Sequence, residues 1–223
     1  MTPAQSARIA IDGTQSVSGL WQAPPQTRAC LVLAHGAGAG MAHKSMTAIA
    51  DGLAQRGIAT LRYQFPYMER GSKRPDPPPV AHAAVRAAVA AAARRAEDLP
   101  LFAGGKSFGG RMTSQAQAAA PLPGVRGLVF FAFPLHPPGK PSTERAEHLA
   151  DASLPMLFLQ GTRDEFAKLE LLQSTVARLG DRATLNLFEE ADHSFHVPAK
   201  TGRKDAEVLA EILDVAAEWM AKH

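Results

Sequence analysis

Residues 104–110 read Gly-Gly-Lys-Ser-Phe-Gly-Gly, and within them Gly105-Lys106-Ser107-Phe108-Gly109 has the spacing G-x-S-x-G. The apolar stretch 99–103 precedes it and a helix-compatible run, 107–120, follows. A serine on a tight strand-to-helix turn sits in a strained backbone, and glycines at 105 and 109 remove the side chains that would collide there. Gly104 and Gly110 extend the permissive region. Such a turn lifts the Ser107 hydroxyl above the strand edge and aims the first N–H groups of the helix at whatever that hydroxyl attacks.

A serine hydroxyl is a weak nucleophile until a neighbouring base takes its proton. On a turn of this kind the partners follow in the order acid, then histidine. Asp164, in Gly161-Thr162-Arg163-Asp164, falls just past the apolar run 154–160 and is the first candidate for the acid. Glu165 is the second, with Glu189 and Glu190 behind it. In Ala191-Asp192-His193-Ser194-Phe195-His196 two histidines compete for the base. His193 lies closer to the preceding strand and is favoured over His196. Their H-x-x-H spacing could suit zinc, but no third ligand cluster lies nearby and no metal is expected. The tetrahedral intermediate of acyl transfer needs two N–H donors for its oxyanion. One expected donor is Phe108, the residue after the nucleophile. The other comes from the small-residue loop Ala34-His35-Gly36-Ala37-Gly38-Ala39-Gly40, with Ala37 first and Gly38 second. His35 precedes the nucleophile and is assigned to ordering that loop.

Nucleotide signatures are incomplete. The segment from Gly38 has His43 where a phosphate loop requires glycine, and Gly105-Lys106-Ser107 has Pro100 where the first glycine belongs. No acidic residue closes the strand at Ile58–Tyr63, as a dinucleotide fold would need. A formal charge of +3 is too mild to imply nucleic acid, and no aromatics interleave the basic clusters. One cysteine excludes a disulfide framework. No run of about 18 apolar residues exists to span a membrane. The N-terminus lacks the basic and apolar regions of a signal peptide, so a cytoplasmic setting is expected.

The elements that must hold these residues can be read from periodicity. Of 223 residues, 46% are hydrophobic and 20% charged, which suits one globular domain over 1–223. Short strands are expected at 7–11 and 16–21. After them, strands at 30–34, Ile58–Tyr63, 99–103, 125–132, 156–160 and Ala183–Phe188 alternate with helices at 44–56, 80–97, 107–120, 143–152, 167–179 and 206–221. The loop 64–79 is dense in proline, glycine and charge, and the Ala-rich run after it reads as a surface helix. This alternation predicts an α/β fold with a mostly parallel sheet and helices on both faces, its site at the carboxyl ends of the strands.

With these elements in order, the chain resembles the α/β-hydrolase superfamily, and within it the dienelactone-hydrolase-like branch that includes testis-expressed protein 30 and small bacterial relatives. The particular marks are Phe65-Pro66-Tyr67 with Arg74-Pro75-Asp76, then Gly105–Arg111, Phe133–Pro141, Gly161–Asp164 and Ala191–Phe195. The resemblance implies a twisted sheet of about seven or eight strands, a Ser107–His193–Asp164 triad and no cofactor. It departs at the nucleophile, which is cysteine in true dienelactone hydrolases. The sole cysteine here, Cys30, opens a buried strand and reads as core, so dienelactone as substrate does not follow.

The expected activity is serine hydrolysis of small or exposed carboxylic esters through an acyl-enzyme, with a small-molecule ester as the partner. Residues 133–154 leave no room for a separate lid domain, so an open, shallow site is expected. Loops 64–79 and 133–142 should form its rim, with His136 and Lys140 as possible substrate contacts. The same machinery could serve a thioesterase or amidase, and a catalytically silent module that binds partner proteins is the rival from another class. Oligomeric state is not legible in the pattern.

Overall fold

A computed structural model describes residues 2–223. The apolar runs become eight strands: β1 (Gln5–Ala10), β2 (Ser16–Gln22), β3 (Ala29–Ala34), β4 (Ile58–Tyr63), β5 (Leu101–Lys106), β6 (Val125–Phe131), β7 (Met156–Gly161) and β8 (Ala183–Phe188). They form one sheet in the order β1-β2-β4-β3-β5-β6-β7-β8. β2 runs antiparallel to both its neighbours, and β4 through β8 are parallel. β3 to β7 are buried along nearly their whole length, because helices cover both faces.

The strand period of two divides the core. Cys30, Val32 and Ala34 face one layer, with α3 (Pro78–Ala93), α4 (Phe108–Ala119) and α5 (Leu169–Leu179). Leu31 and Leu33 face the other, with α1 (Lys44–Gln55) and α6 (Asp205–Lys222). Cys30 is wholly buried, and desolvation pushes its thiol up to about 12, so it behaves as a small hydrophobe.

Several local expectations are refined or corrected. The Ala-rich helix lies in the outer layer with one face buried: Ala81, Ala84, Val85, Ala88, Val89, Ala91 and Ala92 are buried against the sheet and α4, and Ala90 and Ala93 are exposed. Its small side chains let backbone approach backbone. It begins at Pro78 because prolines in a first turn forfeit no helical hydrogen bond. Residues 143–152, expected as a helix, form a 3-10 helix, Glu144–Ala150, whose bond from Ala146 N–H to the Thr143 carbonyl is 2.9 Å. A segment this short recovers little of the α-helical nucleation cost and takes the tighter turn. The loop 64–79 contains a one-turn helix, α2 (Pro66–Glu69).

Between β6 and β7 the only helical element is that 3-10 helix, so no lid domain stands over the sheet. Among the described residues, no helix is long and apolar enough to cross a membrane. Because β3 and β5 through β8 are parallel, the segments that follow them all emerge at one edge. Those segments carry His35–Gly40, Ser107, Pro134, Asp164 and His193.

Candidate active site

β5 runs without a break to Lys106, and α4 begins at Phe108, so Ser107 alone makes the turn between them. Its backbone is at φ 50° and ψ −119°, a region that side-chain-bearing residues seldom occupy. The surroundings enforce it. A Cβ on Gly105 would meet the Ala34 carbonyl oxygen at 2.3 Å, and one on Gly109 would meet the same oxygen at 2.5 Å. Glycine at both positions lets β3, β5 and α4 close around the turn.

The Ser107 hydroxyl lies 2.8 Å from His193 Nε2. His193 Nδ1 lies 2.7 Å from Asp164 Oδ2. An ionised carboxylate only accepts, so Nδ1 carries the proton and Nε2 is left to accept from the serine. Asp164 has a fully buried side chain, and every contact it makes favours that orientation. Gln160 Nε2 donates to Oδ2 at 2.5 Å, and the Phe166 N–H donates to Oδ1 at 2.8 Å. The Phe166 ring lies against the imidazole, centroids 4.2 Å apart. The loop bearing His193 is tied down from both sides. Lys106 Nζ donates to the His193 carbonyl at 2.8 Å, and Asp192 Oδ1 accepts from the N–H groups of Ser194 and His196. Burial pushes the Lys106 ammonium down to about 8, against the pull of Asp164 and Asp192.

The competing residues stand elsewhere. His196 is exposed and bonded to Asp205, whose carboxylate raises its pKa. Glu165 and Glu189 are exposed, and Glu190 pairs with Arg163.

The small-residue loop after β3 is braced by residues far away in sequence. His35 is fully buried, with Nδ1 2.8 Å from the Gly36 carbonyl and Nε2 accepting the Phe65 N–H at 3.1 Å. This arrangement requires the neutral ring, and burial lowers its pKa to about 4. Tyr67 accepts the Gly38 N–H at 3.1 Å, and the Tyr67 N–H is in turn held by Asp76 at 2.6 Å. The Gly38 amide is therefore occupied, whereas the amides of Ala37 and Phe108 donate to no described residue. Gly36 packs close to Ser107, a Cβ there falling 3.8 Å from the serine Cβ.

A cavity of about 350 Å3 opens beside Ser107, lined by Ala37, Phe108, Pro134 and Phe166 among others. Pro75, Asp76 and Pro78 bring the 64–79 loop to its wall. The expected rim residues stand to one side of it. His136 does not line this cavity but lines an adjoining one of about 390 Å3 that shares Arg111 and Arg145, and Lys140 lines neither. His136 is buried and staples two loops, with Nδ1 2.9 Å from the Pro137 carbonyl and Nε2 accepting the Lys168 N–H at 2.8 Å. Lys140 is exposed. Arg111 and Arg145 line both cavities. Sequence reasoning also passed over Gln160 and Phe166, and took Tyr67 only as a mark of resemblance. Gln160 carried one signal, a polar residue ending an otherwise apolar strand. A larger cleft, about 630 Å3, lies between Pro24–Arg28 and residues 54–57, at the opposite ends of β3 and β4, and holds no nucleophile.

A family model for the alpha/beta hydrolase domain matches residues 27–221. Among solved structures, a dienelactone hydrolase from Anabaena variabilis superposes with a TM-score of 0.79 at 17% identity, covering 100% of this chain and 98% of that one. A serine hydrolase from Xanthomonas campestris, described as having no lid, gives 0.75 at 19% identity over 98% of this chain and 96% of its own. A serine hydrolase homologue from Coxiella burnetii gives 0.74 at 19% identity over 96% and 97%.

Proposed function

Since the chain belongs to the alpha/beta hydrolase family, we propose that it is a serine hydrolase that cleaves carboxylic esters of small or exposed acyl groups. The observation that carries this reading is the unbroken hydrogen-bonded line from Ser107 through His193 to Asp164. Ser107 Oγ attacks the ester carbonyl while His193 Nε2 takes its proton. Asp164 keeps the other ring proton in place and stabilises the imidazolium. The oxyanion that forms is met by the N–H groups of Ala37 and Phe108. Collapse expels the alcohol, protonated by His193, and leaves an acyl-serine. A water molecule, deprotonated by the same imidazole, then releases the acid.

The test is a fluorophosphonate probe together with p-nitrophenyl esters of graded acyl length and their thioester and amide analogues. Stoichiometric labelling at Ser107 and ester turnover are expected. Ser107→Ala should lower kcat by roughly 10³- to 10⁶-fold and abolish labelling. His193→Ala should do nearly the same, and His196→Ala should remain active. Folded protein that neither labels nor turns over any of the three substrate types would leave a silent binding module in place of the enzyme. Preference for the thioester or amide would keep the triad and replace the ester.

A further inference from the structure

The cavity beside Ser107 contains two guanidinium groups with nothing to hold. Arg111 lies one turn along α4 from the serine, its N–H bonded to the Ser107 carbonyl at 3.1 Å. Arg145 projects from the 3-10 helix Glu144–Ala150 into the same cavity. Neither side chain donates a hydrogen bond to any described residue, and neither has a carboxylate within 4.0 Å. Arg111 Nε is buried with no partner. Its guanidinium lies over the Phe108 ring, 5.9 Å from the centroid.

This idleness is selective. Every other arginine that is not fully exposed donates to an oxygen: Arg56 to Asp214, Arg62 to Thr47, Arg86 to Ala116, Arg182 to Ala152 and Arg203 to Glu211. A half-buried cation left unpaired carries a desolvation cost that the fold elsewhere takes care to offset. No neighbouring carboxylate pairs with either guanidinium, although Glu144 acts to raise the pKa of Arg145 from a distance. Asp76, the cavity's carboxylate, is committed to Arg70 at 2.6 Å and to the Tyr67 N–H. Glu144 is exposed beside Arg145 and forms no ion pair with it. Behind them stand His82 and His148, the latter 2.8 Å from the Ser114 hydroxyl and pushed down to about 4 by burial and by Arg111 and His82, against the weaker pull of Asp151. The two guanidiniums also repel each other, and both are lowered in pKa chiefly by burial.

We propose that Arg111 and Arg145 form an oxyanion subsite, so that the ester cleaved at Ser107 carries a second, negatively charged group such as a carboxylate. This rests on the serine hydrolase reading and narrows its substrate class. Arginine presents a planar fork of donors that matches a carboxylate, and unused donors in a partly dry cavity gain most from such a partner. One helical turn is about 5.4 Å, so a spacer of two to four carbons links the reacting carbonyl to the charge.

The experiment compares matched esters by pH-stat. Monomethyl glutarate is set against dimethyl glutarate, and 3-acetoxypropanoate against its methyl ester, with methyl 3-phosphonopropionate as the phosphonate arm. A preference of roughly 10- to 100-fold in kcat/KM for an anionic member is expected, mostly in KM. The preferred pair tells whether the charge sits on the acyl or the alcohol side, and the third arm whether a carboxylate or a tetrahedral anion fits better. Arg111→Gln and Arg145→Gln should each narrow the preference, and 0.5 M NaCl should weaken it. Calorimetric titration of the Ser107→Ala variant with the same esters reads the subsite without chemistry. Equal handling of charged and neutral members in both assays, by protein that labels with fluorophosphonate, overturns the subsite and spares the hydrolase. Tighter binding of the anion by a protein that never labels retains the subsite and removes the hydrolase.

Discussion

At the scale of single residues, the site depends on which protonation state each histidine is forced to hold. His193 needs one proton, on Nδ1, and Asp164 supplies the reason. His35 needs the same state for a different purpose, since its Nε2 must accept the Phe65 N–H. Its folded pKa, about 4, lies below the ordinary value of 6.5. Between those two values the unfolded chain takes up a proton that the folded chain refuses, so stability is complete above about pH 6.5 and falls as the pH drops toward 4. A gap of that size corresponds to about 3 kcal/mol. His35→Gln should destabilise the protein at pH 7, yet its deficit against the wild type should shrink by about 2 kcal/mol at pH 4.5. Urea denaturation at the two pH values measures this, and an unchanged deficit would mean that His35 is not the acid-sensitive strut. Ser107, Asp164 and His193 were legible in the sequence because each follows a strand in a fixed order. The bonding of His136 was not legible for the opposite reason: only the fold reveals that the Lys168 N–H, distant in sequence, occupies its Nε2.

At the scale of elements, the turn between β5 and α4 is legible because its demands are local. Two glycines flank a serine, and the backbone they permit is the one observed. The cost of violating that demand should be large. In Gly109→Ala the new Cβ would lie 2.5 Å from the Ala34 carbonyl oxygen and 2.6 Å from that of His35, both backbone atoms that cannot rotate away. A loss of more than about 3 kcal/mol is expected, or failure to accumulate as soluble protein, readable as a drop in Tm of the purified variant. An alanine accommodated without a shift in Tm would mean that α4 is free to slide. The brace built by α2 was not legible. Phe65 meets His35 and Tyr67 meets Gly38 only because β3 and β4 pair in parallel, and no short-range pattern encodes that meeting. How closely the Ala-rich helix packs was not legible either, since alanine suits a solvated helix face and a tightly packed one equally.

At the scale of the whole molecule, strand-helix alternation predicted a mostly parallel sheet with helices on both faces, the strand order emerged only in the fold, and the short β6–β7 connection predicted an uncovered site. With no domain to swing aside, turnover should rise smoothly with substrate concentration and show no jump where a sparingly soluble ester begins to form an emulsion. Rates of p-nitrophenyl butyrate hydrolysis measured through its solubility limit test this, and a sharp rise at the limit would reveal a covering segment. The open cavity and its unengaged arginines belong together, since a charged substrate approaches from water and needs no greasy channel.

Ser107 and His193 are 86 positions apart, and the carboxylate that steadies the imidazole hangs from yet another crossover. No fragment that lacks β5, β7 or β8 could assemble that relay. On the proposed activity each catalytic event would certify that these strands are in place, and a coloured ester would become a census of native molecules, able to count survivors in a heated or ageing sample that still looks clear to the eye.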